Sequence, residues 1–277
     1  MLCLKLSKIR ATRARDHHQD AEVTAGQRQI LLYKTGETHP SLKPTIGCYE
    51  RWFSRVLGEA VHLELHLAWE KPVMSDGKGY DGIILSGSPR SLVASEAEPW
   101  MDDAADWLRR AAAAGVPVLG VCFGHQLIGH AWGGKVRTNP RGWEVGTVAV
   151  ELTDAGAIDP LFRGIAGIGG AERTLFVNQS HRDEIASLGP EMRPLARGAH
   201  TEYQSVAVGD HVRGVQFHPE MDAGVVRNII AYRRQILEAD SVRYGTPPVE
   251  ERLRQTSDTP DGERVLRNFL HHFVAKS

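Results

Sequence analysis

From Arg28 onward, short apolar runs alternate with stretches in which apolar residues return every three or four positions. The first pattern predicts strands and the second predicts helices with one buried stripe. Ile30 to Tyr33 reads as a strand. Pro44 suits a first helical turn, and Ile46, Tyr49, Phe53 and Val56 continue that helix until Gly58 ends it. Val61 to Leu67 alternates as a second strand. Asp81 to Ser86 and Val116 to Val121 are compact apolar runs, as expected of parallel strands covered on both faces. Between them Pro99 to Ala114 places Met101, Ala104, Ala105, Leu108 and Ala111 on one helical face, with Gly115 as its cap.

The second half predicts shorter strands at Thr147 to Leu152, Thr174 to Val177, Tyr203 to Val208 and Val212 to Phe217. Helices follow over Ala223 to Leu237 and Gly262 to Val274, and Tyr244 to Asp261, rich in proline and charge, reads as an exposed loop. Strand, helix, strand, helix in this order implies an α/β fold: a mainly parallel central sheet flanked by helices, in a single domain over residues 27–277. Residues 1–26 read differently. Lys5, Lys8, Arg10, Arg13 and Arg15 occur there before the first acid, and the rest is polar and aperiodic, so this segment is expected to be a flexible N-terminal extension.

Composition removes several functional classes. The chain has 277 residues and is 42% hydrophobic, enough for a sizeable core. Its 33 Lys and Arg balance 34 Asp and Glu, so no global field draws it to nucleic acid or anionic lipid. No apolar run reaches the roughly 20 residues of a membrane-spanning helix. Cys3, Cys48 and Cys122 are odd in number and widely spaced, which suits a reducing cytoplasm better than a disulfide framework or a thiolate metal site.

One cysteine has a chemical context. Gly120-Val121-Cys122-Phe123-Gly124 has the glycine spacing of a nucleophile elbow, with sulfur in place of the hydroxyl. A buried strand ends at Val121 and a helix begins at Phe123, so the sulfur is expected at a helix N-terminus, where unpaired N–H groups favour an anion. Both glycines are expected to make room where the strand turns into the helix, and the Phe123 N–H to face an incoming carbonyl oxygen. Phe217-His218-Pro219-Glu220 supplies a proton carrier at the end of the last predicted strand. In an extended segment, residues two apart share a face, so Glu220 can orient His218. Gly129 to Lys135 fits the start of a phosphate loop, but Val136 replaces the hydroxyl residue and the glycines close a helix instead of opening one. Arg233-Arg234 reads as a solvated helix face.

Val118 to Val136 and Gly214 to Glu220 resemble the two signature segments of the class I glutamine amidotransferase family, and the resemblance runs in order from about Gln29. It implies Cys122 as nucleophile, His218 as general acid and base, and Glu220 as its orienting carboxylate. It places an oxyanion loop at Leu85 to Pro89, with Gly87 beside the substrate and the Ser88 N–H joining that of Phe123 as oxyanion donor. Ser88 stands there in place of the family's usual glycine. Gln126, Ser180 and His181 are implied as substrate contacts, while Glu144 reads equally as a substrate contact or as a charge at a strand entrance. The segments around Ser88, Cys122 and Arg141 to Gly146 look closer to stand-alone members, including γ-glutamyl peptidase-like proteins, than to domains fused to GMP synthase.

The implied reaction is hydrolysis of the γ-glutamyl amide of glutamine through a thioester, releasing glutamate and ammonia, with no metal or organic cofactor. The 57 residues after Glu220 are too few for an ammonia-consuming domain, so a separate ammonia-accepting synthetase subunit is an expected partner. Two alternatives stand beside this reading: a free-standing γ-glutamyl peptide hydrolase, and a non-catalytic binding or regulatory protein on the same scaffold.

Overall fold

The computed structural model describes residues 27–70, 76–93, 95–165 and 173–274, so the predicted N-terminal extension lies outside the described residues. The chain opens with β1 (Arg28–Lys34), α1 (Lys43–Ile46), α2 (Tyr49–Leu57) and β2 (Val61–Leu67). β3 (Gly82–Leu85), α3 (Pro99–Ala113), β4 (Val118–Val121) and α4 (Phe123–Ala131) follow. Next come β5 (Lys135–Thr138), β6 (Glu144–Leu152), α5 (Asp154–Ile158), β7 (Thr174–His181), β8 (Asp183–Ser187), β9 (Met192–Arg197), β10 (Ser205–Val208) and β11 (Val212–Val215). The chain closes with α6 (Ala223–Tyr232), α7 (Arg234–Tyr244), α8 (Val249–Gln255) and α9 (Pro260–His272).

Nine strands form one central sheet in the order β2-β1-β3-β4-β11-β10-β9-β6-β7. The first five are mutually parallel. From β11 outward the pairings are antiparallel. β5 and β8 form a small antiparallel sheet of their own. Among the described residues, no helix is long and apolar enough to cross a membrane.

Inside the edge strand β2, the parallel strands β1, β3, β4 and β11 are buried on both faces, and their side chains alternate accordingly. Ile30, Leu32, Ile84, Leu119 and Val121 pack with Trp52, Phe53, Val226 and Phe269 from α2, α6 and α9. Leu31, Tyr33, Ile83, Leu85 and Val118 face the other way, against Met101, Trp107, Leu108 and Leu127 from α3 and α4. This three-layer packing puts the C-terminal ends of β3, β4 and β11 side by side, with Leu85 opposite Gly120 and Val121 opposite Val215. Crevices outside such strand ends are where open α/β sheets bind ligands.

Several elements differ from expectation. The helix read across Ile46 to Val56 is two helices, because Gly47 adopts φ 76°, a conformation that favours glycine. The helix after Ala223 breaks at Arg233 and resumes to Tyr244. The expected loop at Tyr244 to Asp261 contains α8, anchored by buried Val249 and by Arg252, which donates to the Val145 carbonyl. β5, β8 and β9 were not anticipated from the sequence pattern. In β9, Pro194 pairs opposite Val206 where the register shifts by a bulge. Gly129 and Gly134, which imitate a phosphate loop, are packing glycines. A Cβ on Gly129 would lie 2.6 Å from the Ile185 side chain, and one on Gly134 would lie 2.8 Å from the Ser187 carbonyl.

Candidate functional site

Cys122 sits between β4 and α4 with φ 54° and ψ −104°, and it is the one non-glycine residue with positive φ among the described residues. Such conformations cost roughly 1 to 3 kcal/mol and persist only where the surroundings enforce them. Here the Cys122 N–H donates to the Val215 carbonyl of β11 at 2.9 Å, the Gly124 N–H to the Ser86 carbonyl at 3.2 Å, and the Gln126 N–H to the Cys122 carbonyl at 3.0 Å. The glycine spacing has a steric cause. A Cβ on Gly120 would lie 2.5 Å from the Gly124 carbonyl oxygen, and one on Gly124 would lie 2.6 Å from both Cβ and O of Leu85. Helix propensity alone makes Gly124→Ala stabilising by about 1 kcal/mol, but a clash with strand backbone outweighs it. The expected result is a net loss of about 2 kcal/mol, read by calorimetry as a Tm several degrees lower; a Tm at or above wild type would contradict the packing.

His218 lies past the end of β11, where its N–H donates to the Asn178 carbonyl of β7 at 2.8 Å. Glu220 approaches it through a turn closed by Met221 N–H to His218 O at 3.3 Å, rather than through the extended segment expected. The two side chains meet as anticipated, with His218 Nδ1 2.7 Å from Glu220 Oε1. Both are buried, and Glu220 Oε2 has no protein partner among the described residues. Burial alone would pull the His218 imidazole down. Coulombic attraction and hydrogen bonding to Glu220 and Cys122 outweigh burial and push it up to about 10. Gly87 stands against this imidazole: a Cβ there would be 2.8 Å from His218 Cε1.

The loop after β3 is tied to the loop after β1. Thr35 Oγ1 donates to the carbonyls of Ser86 and Gly87 at 2.9 and 3.1 Å. Ser88 Oγ donates to the Thr35 carbonyl at 2.9 Å and accepts from the Arg90 N–H at 3.0 Å. Gly36 lacks the Cβ that would fall 2.5 Å from Ser88 Oγ. The serine therefore has its own set of restraints in this loop. Among the described residues, the backbone N–H groups of Ser88 and Phe123 donate to no protein acceptor.

Two cavities meet at Cys122. The first, about 130 Å³, is polar and is lined by Gln126, Ser180, His181, Asp183, Arg90 and Arg233 among others. The second, about 180 Å³, contains His218 and a largely apolar wall. Ser88, Pro89, Cys122, Ser180 and Arg233 border both. Gln126 Nε2 donates to the Asp183 carbonyl at 2.7 Å and to Gln216 Oε1 at 3.2 Å. His181 has both ring nitrogens engaged, Nε2 with Glu144 Oε2 at 2.9 Å and Nδ1 with the Asp183 carbonyl at 3.0 Å. Glu144 borders neither cavity. Burial alone would raise its carboxyl, but His181, His200 and Gln204 hold it below the usual range.

Arg233 is the residue that sequence reasoning placed wrongly. Its guanidinium lies 4.1 Å from the centroid of the Trp143 ring, and its Nη1 donates to Ser180 Oγ at 2.7 Å. Burial pulls it below the ordinary guanidinium range. The signal was present in the spacing: Arg233 falls four residues after buried Ile229, on the inward face of α6. Trp143, Arg90 and Asp183 also border the polar cavity without having been singled out as site residues.

The model of the glutamine amidotransferase class-I family matches residues 54–233. The chain is 39% identical over 140 residues to a GMP synthase [glutamine-hydrolyzing] of Thermomicrobium roseum, covering 50% of this chain but only 23% of that enzyme. It is 26% identical over 256 residues to gamma-glutamyl peptidase 4 of Arabidopsis thaliana, covering 89% of this chain and 96% of the peptidase. A crystal structure of a glutamine amido transferase from Methylobacillus flagellatus superposes with a TM-score of 0.69 at 23% identity, over 92% of this chain and 97% of the other. On this match of sequence and fold, the chain belongs to the class I glutamine amidotransferase family.

Proposed function

We propose that the protein hydrolyses a γ-glutamyl amide, with Cys122 as nucleophile, His218 as acid and base, and Glu220 as the group that orients His218. The observation that carries this reading is the elbow itself: a strained cysteine opening onto two cavities, beside a buried His218–Glu220 pair. The Cys122 sulfur adds to the side-chain carbonyl. The N–H groups of Phe123 and Ser88 receive the oxyanion, each such donor lowering the barrier by roughly 3 to 4 kcal/mol. His218 gives its proton to the departing amine as the C–N bond breaks and a thioester forms. It then takes a proton from water, which cleaves the thioester to a free γ-carboxylate and the thiol. Gln126, Ser180, Arg233 and the His181 segment form the polar cavity that receives the glutamyl end, with Gly87 giving the substrate a close approach to His218. This scheme requires no metal or organic cofactor.

The likeness to a GMP synthase favours a second reading, in which glutamine is the amide and the ammonia passes to a separate synthetase subunit. That reading predicts weak activity alone and stimulation by the partner. A cytoplasmic location belongs to the same proposal, supported by the free thiols of Cys48 and Cys122.

The test measures glutamate and amine release from glutamine and γ-glutamyl amides, together with labelling of Cys122 by a glutamine-derived electrophile. Absence of both would refute the hydrolase reading. The pH profile adds a second check. A histidine raised to about 10 keeps its proton throughout the neutral range, so kcat/KM is expected to fall as pH rises through about 10. The sign for stability is the same: the pair contributes fully below the unfolded histidine value of about 6.5, and the contribution is lost as pH rises through about 10. An alkaline limb near 6.5 would contradict this electrostatic arrangement.

A further inference from the structure

The polar cavity accounts for a glutamyl group, but it does not account for the second cavity at Cys122. The two spaces share Ser88, Pro89, Cys122, Ser180 and Arg233 as common border residues. His218 borders the second cavity and not the first, so the group that donates a proton to the leaving amine faces this side. Its lining joins the larger apolar area of Leu42, Tyr49, Trp52, Met221, Ile229 and Tyr232 to the polar Glu37, Thr38 and His39. Trp52 has its indole N–H spent on the Ile46 carbonyl at 2.6 Å, so the face it offers is hydrocarbon. At the mouth, the rings of His39 and Tyr232 lie 4.6 Å apart, with Tyr232 47% exposed.

Departing ammonia has no carbon to bury, so the apolar part of this wall offers it nothing. A departing amine that carries a hydrocarbon group gains by entering, in proportion to the apolar area it buries. Size narrows the choice further. An apolar cavity of roughly 150 Å³ accepts a benzene ring, and this one measures about 180 Å³.

Resting on the hydrolase reading above, we propose that the second cavity is a leaving-group subsite, and that the protein selects γ-glutamyl amides whose amine bears one aromatic or branched apolar group of about ring size. The glutamyl end occupies the polar cavity, the scissile carbonyl sits at Cys122, and the amine substituent lies among Leu42, Trp52, Ile229 and Tyr232. Proton donation from His218 then occurs at the boundary of the two spaces.

The decisive comparison uses γ-glutamylmethylamide and γ-glutamylbenzylamide, secondary amides that differ by one phenyl ring, with glutamine alongside. kcat/KM is expected to be at least about tenfold higher for the benzylamide than for the methylamide. Leu42→Trp, which fills the subsite from its partly exposed rim, is expected to remove most of that ratio. Tyr232→Ala, a change at an exposed ring that carries little folding risk, is expected to lower it several-fold. A benzylamide cleaved no faster than the methylamide, while Cys122 is labelled and glutamine is hydrolysed normally, would overturn the subsite and leave the hydrolase reading intact. If no amide is cleaved and Cys122 resists the electrophile, the reading beneath the proposal fails instead.

Discussion

Replacing Cys122 with alanine is expected to lower amide hydrolysis by at least about 10⁴-fold and to leave the melting temperature within a few degrees of wild type. The size of the loss follows from the chemistry. In the proposed scheme no thioester forms without the sulfur, and what remains is whatever the proposed oxyanion donors and substrate positioning do for direct attack by water. The small effect on stability follows from the structure. Alanine keeps the Cβ and therefore the same cost of holding φ at 54°, while the backbone bonds of Cys122 to Val215 and Gln126 do not involve the side chain. Steady-state ammonia or amine release gives the first quantity and calorimetry the second. A variant that kept more than about one hundredth of wild-type activity would remove Cys122 from the mechanism. A variant that also unfolded would say nothing about chemistry, which is why the two measurements belong together.

His218→Asn is expected to reduce kcat/KM by about 10³-fold, within the range that a positioned acid and base supplies. The choice of asparagine matters. Glu220 is fully buried, and among the described residues its carboxylate accepts a hydrogen bond from His218 alone. Truncation to alanine would strand that charge, at a cost of about 3 to 5 kcal/mol. Asparagine retains an N–H near the position of Nδ1 and lacks the second nitrogen, so it separates proton transfer from support of the carboxylate. Two readouts decide the matter. The alkaline limb near pH 10 should vanish in the asparagine variant, whereas His218→Ala should lose much more stability than His218→Asn. Equal destabilisation by both changes would show that the pair does not carry the burial of Glu220.

The parts of the site that could be read directly from the sequence are those whose cause is local. Gly120, Cys122 and Gly124 are legible because a tight turn between a strand and a helix places the steric demand on residues adjacent in the chain. His218 and Glu220 are two residues apart, so their meeting was legible even though a turn, and not an extended segment, brings them together. Arg233 was misread because two consecutive arginines usually mean solvent, and only the break between α6 and α7 separates them: one turns inward to Trp143 and Ser180, while the other pairs with Glu238 and Glu250 at the surface. The helix α8 escaped notice because its sequence is mostly charged and its hold on the body of the protein comes from Val249 and the long reach of Arg252. β5 and β8 are short and polar, and they exist through their pairing with each other, which no single segment announces. The two cavities are likewise products of tertiary assembly. Their walls come from segments spread between Glu37 and Arg233, and neither hydropathy nor spacing encodes where they converge.

The positive φ at Cys122 sets a boundary for redesign at this position. Any side chain there carries a conformational penalty that only glycine would relieve, so exchange for serine or alanine keeps the strain and alters only the atom presented to the two cavities.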